Sequence, residues 1–237
     1  MRIVGTVAAL NRFPVKSMAG ERPDAVDLRW HGIAGDRQYS LYRTDDRTRF
    51  PWLSARDHSR LVLYRAAFRE PSDPKRSPVD VITPEGATHE LFAPALLAHL
   101  CTETGEELRL LQMGRGLHDA MPVSVATTST HAAIGAAHGA AVDPARFRTN
   151  IVIDSDEGEN AWCGKRLAIG EDGAQLLCSH PIPRCALITI HPTTAVRDPS
   201  ILRTVAQKFG NMIGAYCPVA AQGTIRVGDA VRLIQDI

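Results

Sequence analysis

The chain has 237 residues, 44% of them apolar and 22% charged, with 27 basic and 26 acidic side chains for a formal net charge of +1. That is the composition of an ordinary globular protein, long enough for one large domain or two small ones. The near balance of charge gives no ground for nucleic acid or an anionic membrane as partner. No run is long and apolar enough to span a bilayer, and the N-terminus lacks a basic, apolar, small-residue leader, so a cytoplasmic location is expected.

Five cysteines, Cys101, Cys163, Cys178, Cys185 and Cys217, are widely spread and odd in number. A disulfide scaffold is not expected in a chain of this length. There is no Cys-x-x-Cys pair and no plant-type ferredoxin spacing, so zinc ribbons, thioredoxin chemistry and an internal iron–sulfur cluster lose support.

In chain order, the β-branched stretch 1–11 is expected to be a strand that runs into a loop, Phe13-Pro14-Val15-Lys16-Ser17, closed by Gly20. A strand at 25–28 leads to the turn Gly32-Ile33-Ala34-Gly35-Asp36-Arg37 and a strand at 38–43. Further strands are expected at 61–68, 79–83, 108–113, 123–126, 150–154, 165–169 and 174–178. Residues 69–79, with Pro71, Pro74 and Pro78 among charges, read as a surface loop. Helices are expected at 92–101, 129–138 and 200–208, two of them opened by Pro94 and Asp198-Pro199. The segment 223–234 reads as a turn-bounded pair of short strands. Short strands separated by turn signals favour a mixed α/β, mainly β protein with a β-barrel core and added helices, not an alternating βαβ sheet. No dinucleotide-binding or phosphate-binding glycine loop is present.

The chain is most informative at 179–190. Pro181 and Pro183 stiffen a turn, Arg184 and Cys185 follow, and the apolar run 186–190 reads as a buried strand. A guanidinium beside a thiol favours the thiolate, the form that ligates metals. Alone, the pair also fits a buried cysteine beside a surface arginine.

Taken together, Phe13–Ser17 with Gly20, Gly32-x-x-Gly35-Asp36-Arg37, His118-Asp119-Ala120-Met121-Pro122, Phe147-Arg148-Thr149-Asn150, Trp162, Arg184-Cys185 and Gly223–Asp229 resemble the MOSC family (molybdenum cofactor sulfurase C-terminal domain) with its N-terminal β-barrel region. The resemblance is strongest to the mitochondrial amidoxime-reducing component and its bacterial relatives. It implies an N-terminal region at 1–100, whose first strand can join the core barrel, and a MOSC domain at 101–237. It implies a molybdenum–pyranopterin (molybdenum–molybdopterin) cofactor with a single protein ligand to the metal, placed at Cys185, which is also the catalytic position. Lys16, Ser17, Arg37, Arg148, Asn150, Arg184 and Tyr216 match family cofactor contacts. Pyridoxal phosphate binding is a further family-level association.

The implied activity is reduction of N-hydroxylated small molecules, hydroxylamines and amidoximes, with electrons from a separate electron-transfer protein or reductase. The alternative is a non-catalytic carrier of the cofactor or of sulfur. Each site residue also has a plainer reading. Lys16 and Ser17 fit a solvated loop, Asp36 and Arg37 an exposed ion pair, Asn150 a turn cap, and Tyr216 rim packing. His118 and Asp119 fit either acid–base work or loop ordering. Thr149, Met121 and Pro183 depart from the family pattern, which bears on substrate and pocket polarity more than on cofactor.

Overall fold

The computed structural model describes residues 1–234; the last three residues of the expected second domain, 235–237, lie outside them. The centre is the strand Arg2–Leu10, in which Val4, Val7 and Leu10 are buried. It pairs antiparallel with Ile151–Asp154 on one side and Ala230–Ile234 on the other. The approach is close: a Cβ on Gly5 would lie 2.2 Å from the Asp154 carbonyl oxygen, so only glycine fits there.

This strand sits in a nine-stranded sheet. From one edge the order is His180–Pro183, Met212–Tyr216, Ser124–Thr127, Ile151–Asp154, Arg2–Leu10, Ala230–Ile234, Arg166–Ile169, Ala174–Leu177 and Val219–Ala221. All neighbours are antiparallel except Ser124–Thr127 and Ile151–Asp154. A parallel pair needs a crossover, and a helix, Thr128–His138, supplies it. So one βαβ unit is present in a sheet whose other pairs are antiparallel, which is not the alternating βαβ arrangement that the sequence argued against. A smaller sheet, Gly223–Arg226, Ala25–Arg29 and Gly32–Ile33, completes the first core, which contains Val26, Leu28, Trp162 and Leu167.

A second core lies under the pair Tyr39–Arg43 and Leu108–Gln112, the sheet Arg65–Phe68, Val79–Ile82, Thr88–Glu90, and the helix Pro94–Thr104. A third joins the helices Thr128–His138 and Pro199–Phe209 through Ile134, Ile201 and Val205. The second core includes Ile190 and Ala195, and the first includes Val4, Val7, Leu10, Val26, Leu28 and Ile33. The N-terminal and C-terminal halves of the chain therefore each contribute side chains to a core built mainly by the other.

The mainly β architecture agrees with the sequence reading, with three corrections. Among the described residues the sheet does not close into a barrel: His180–Pro183 and Val219–Ala221 remain edges. The run expected as a strand at 186–190 is a 3₁₀ turn, Ala186–Thr189, in which the Ile188 N–H donates to Cys185 O and Thr189 Oγ1 to Ala186 O. Ile188 joins the third core and Ile190 the second, so a tight turn serves two cores where periodicity alone is ambiguous. The strands Gly223–Arg226 and Ala230–Ile234 do not pair with each other; they belong to different sheets.

Candidate functional site

The edge strand His180–Pro183 tolerates two prolines because one side carries no ladder bonds. Its end delivers Arg184 and Cys185 to a cleft of about 470 Å³. The Cys185 thiol is exposed at the N-terminus of the 3₁₀ turn. Arg184 is clamped: its Nε donates to Ile213 O at 2.8 Å and its Nη1 to Phe147 O at 2.9 Å. Burial pushes its pKa down to about 10.

Of the residues singled out from sequence, Lys16, Ser17, Arg37, Arg148, Arg184, Cys185 and Tyr216 all line this cleft. They come from loops far apart in the chain. Lys16 Nζ donates to Leu117 O at 2.9 Å and to Asp119 Oδ1 at 2.6 Å. Burial lowers the Lys16 pKa, an effect that Asp119 opposes. Burial raises the Asp119 pKa, but the charge and hydrogen bond of Lys16 outweigh it and the net direction is down. Arg37 Nη1 pairs with the buried Asp36 carboxylate, and its Nη2 donates to Arg148 O at 3.3 Å. Arg37 and Arg148 both lie over the Phe13 ring, at 4.8 and 4.2 Å from its centroid. Tyr216 stands beside His180 on the paired strands, and burial raises its pKa.

Asn150 is different. It does not line the cleft. Its Oδ1 accepts from Ser124 N–H at 3.2 Å, Ser124 Oγ at 2.9 Å and Arg37 Nη1 at 3.4 Å, and its Nδ2 donates to Asn11 O at 3.2 Å. Those bonds brace the wall behind Arg37. His118 also stands behind the lining, its Nδ1 4.0 Å from Asp36 Oδ2. Burial, then Arg37, push its pKa down to about 4.

The profile of the MOSC domain matches residues 113–232, and that of the MOSC N-terminal beta barrel domain matches residues 4–96. The chain belongs to the MOSC family. Among solved structures, the YuaD protein from Bacillus subtilis is similar over 98% of this chain and 97% of its own length, at 14% identity and a TM-score of 0.54. That likeness is one of fold. YiiM from Geobacillus stearothermophilus aligns over 48% of this chain and 55% of its own, at 16% identity and a TM-score of 0.39. YiiM from Escherichia coli aligns over 49% and 56%, at 19% identity and a TM-score of 0.37. No curated protein matches the chain.

In this MOSC chain the cleft's backbone is as distinctive as its charges. Among the described residues, Ser17, Arg37 and Arg148 are three of the five non-glycine residues with positive φ, at 70°, 50° and 50°. Such conformations cost free energy and persist where surrounding bonds hold them. The sequence reading did not single out Arg56 or Arg146, which add two cations to the lining. Arg146 follows Asp143-Pro144, a helix-start signal that says nothing about where its side chain goes. It also missed Glu159, buried behind the site, whose signal is only its position before the buried Trp162.

Six cations line the cleft, Lys16, Arg37, Arg56, Arg146, Arg148 and Arg184, against one carboxylate, Asp119. Arg148 Nη2 and Arg184 Nη2 are buried without a hydrogen-bond partner. Guanidinium forks of this kind suit phosphate and other anions. Among the described residues no three His, Cys, Asp or Glu side chains converge to hold a metal ion by themselves. A lone exposed thiol among cations instead fits a metal whose other ligands come from an anionic organic group. Pyridoxal phosphate finds no such support: the one lysine lining the cleft is engaged by Asp119 and Leu117.

Proposed function

We propose that the chain is a molybdenum-cofactor oxidoreductase that reduces N-hydroxylated small molecules with electrons from a separate donor protein. The observation that carries this reading is the single exposed thiol of Cys185 in a cleft with six cations and one carboxylate. Cys185 would ligate the metal through its thiolate. Lys16, Arg37 and Arg148 would hold the pterin phosphate, with Ser17 Oγ and Tyr216 Oη adding neutral contacts. When bound, the molybdenum–pyranopterin supplies two-electron oxygen-atom transfer.

The chain's own residues then orient and select. Arg184, anchored on two backbone carbonyls, fixes the direction of the Cys185 backbone. Asp119 keeps Lys16 charged and aimed into the cleft. The exposed ring of Phe50, with Arg49 over it at 4.7 Å, stands at the cleft's rim, where it would meet an entering substrate.

The test is metal content and turnover on freshly purified full-length protein. The expected result is stoichiometric molybdenum that Cys185→Ala abolishes, and reduction of benzamidoxime by a reduced viologen dye with no turnover on NADH alone. Molybdenum retained without reductase activity would assign a carrier role. A persulfide on Cys185 without molybdenum would assign sulfur transfer.

A further inference from the structure

A second cavity of about 410 Å³ lies on the other side of Arg146, Arg148 and Leu187, which line both spaces. It opens between the central sheet, the second core and the helix Thr128–His138. Ala9 and Val152, cross-strand partners on the face of the central sheet turned away from the first core, form one wall. Val62 and Ile190 of the second core form another, and His131 of the helix Thr128–His138 a third. Cavities of this size at the junction of packed units are where small ligands bind.

The walls are mostly apolar, yet they are short of acceptors. Seven buried side-chain polar atoms lack a hydrogen-bond partner among the described residues, and four belong to residues lining this one cavity: His131 Nε2, Arg146 Nε, Arg148 Nη2 and Thr149 Oγ1. Bulk water does not reach these atoms. An arginine nitrogen can only donate, and an unpaired buried donor costs free energy comparable to a lost hydrogen bond. The one carboxylate in the lining, Glu21, is already engaged by Arg12 Nε at 2.6 Å and the Phe68 N–H at 3.3 Å. Arg22, at the exposed side, has no carboxylate partner among the described residues. Burial lowers the pKa values of Arg146 and His131, and that of Arg148 to about 9, as expected of bases lacking a counter-charge.

We infer that this cavity is a binding site for a small monocarboxylate with an apolar body, its head group completing the donors of Arg146, Arg148, His131 and Thr149. The apolar walls take the body. A phosphate dianion belongs instead to the cation-richer cleft. Since Arg148 is shared, occupancy here changes how that side chain faces the cleft. The site does not depend on the cofactor reading.

Calorimetric titration of the full chain with octanoate, octanol and inorganic phosphate tests it. Octanoate is expected to bind at a single site, and octanol at least about tenfold more weakly. Val152→Phe and, independently, Ala9→Leu should each weaken octanoate about tenfold or more by filling the space, with circular dichroism and phosphate binding unchanged. Thr149→Val should weaken octanoate and leave octanol unaltered. The inference is overturned by no octanoate binding at millimolar concentration, by equal binding of octanol, or by insensitivity to both filling variants.

Discussion

Glu159 carries no chemistry in the cleft, yet it ties the strand that anchors Arg184 to the start of the helix Thr128–His138. It is 1% exposed. Its Oε2 accepts from Thr127 N–H at 3.1 Å, Thr127 Oγ1 at 3.1 Å and Thr130 Oγ1 at 2.7 Å, and its Oε1 from the Gly214 N–H at 2.7 Å. Glu159→Ala would orphan those donors, and a loss of about 3 kcal/mol is expected from urea denaturation. His118 sets a pH dependence. The unfolded chain takes up the imidazole proton near its ordinary value of about 6.5, the folded chain only near 4. Between these values the unfolded state binds more protons, so stability is full above the upper value and falls as pH falls toward the lower. His118→Gln should flatten that part of the profile, by up to roughly 1.4 kcal/mol per pH unit.

The strand His180–Pro183 and the turn after it hold Cys185 only because a neighbouring strand receives them. Met212–Tyr216 pairs with it, and Arg184 reaches across to Ile213 O. Gly214 allows this crossing. Its φ is +76°, and a Cβ there would lie 2.8 Å from Arg184 Nη2 and 3.1 Å from Val125 O. Gly214→Ala should therefore displace the guanidinium and lower molybdenum content in purified protein, while the fold survives by circular dichroism. Arg184→Lys tests the same clamp without strain. A single ammonium cannot bond both Ile213 O and Phe147 O in the geometry of a planar fork. Partial loss of bound metal is expected, smaller than that of Cys185→Ala.

The chain as a body is nearly neutral, at +1, while its cleft is strongly cationic. Folding has segregated charge that composition averages away. Acidic side chains elsewhere are spent on ion pairs outside the cleft, such as Arg69 with Asp80 and Arg43 with Glu106. Inorganic phosphate at millimolar concentration should raise the thermal midpoint through binding to the native state alone. The rise should shrink as sodium chloride is added, since partly exposed charges are screened. Arg148→Gln should remove most of it. A midpoint indifferent to phosphate would argue against the cleft as an anion site.

The three α-helices and most strands were legible because caps, prolines and apolar spacing act locally: Pro94, Asp198-Pro199 and the β-branched run at the N-terminus each act within a few residues. The loop motifs were legible too. Lys16, Arg37, Arg148 and Cys185 sit in short, turn-bounded patterns that resemble a family. Their convergence was a matter of tertiary structure, as were the roles of Glu159, Arg146 and Arg56, whose neighbours lie far away in sequence. The open edges of the large sheet, the 3₁₀ turn at Ala186–Thr189 and the second cavity were likewise undetermined by local pattern. Each depends on how three cores share side chains, and an apolar residue carries no mark of which core it will join.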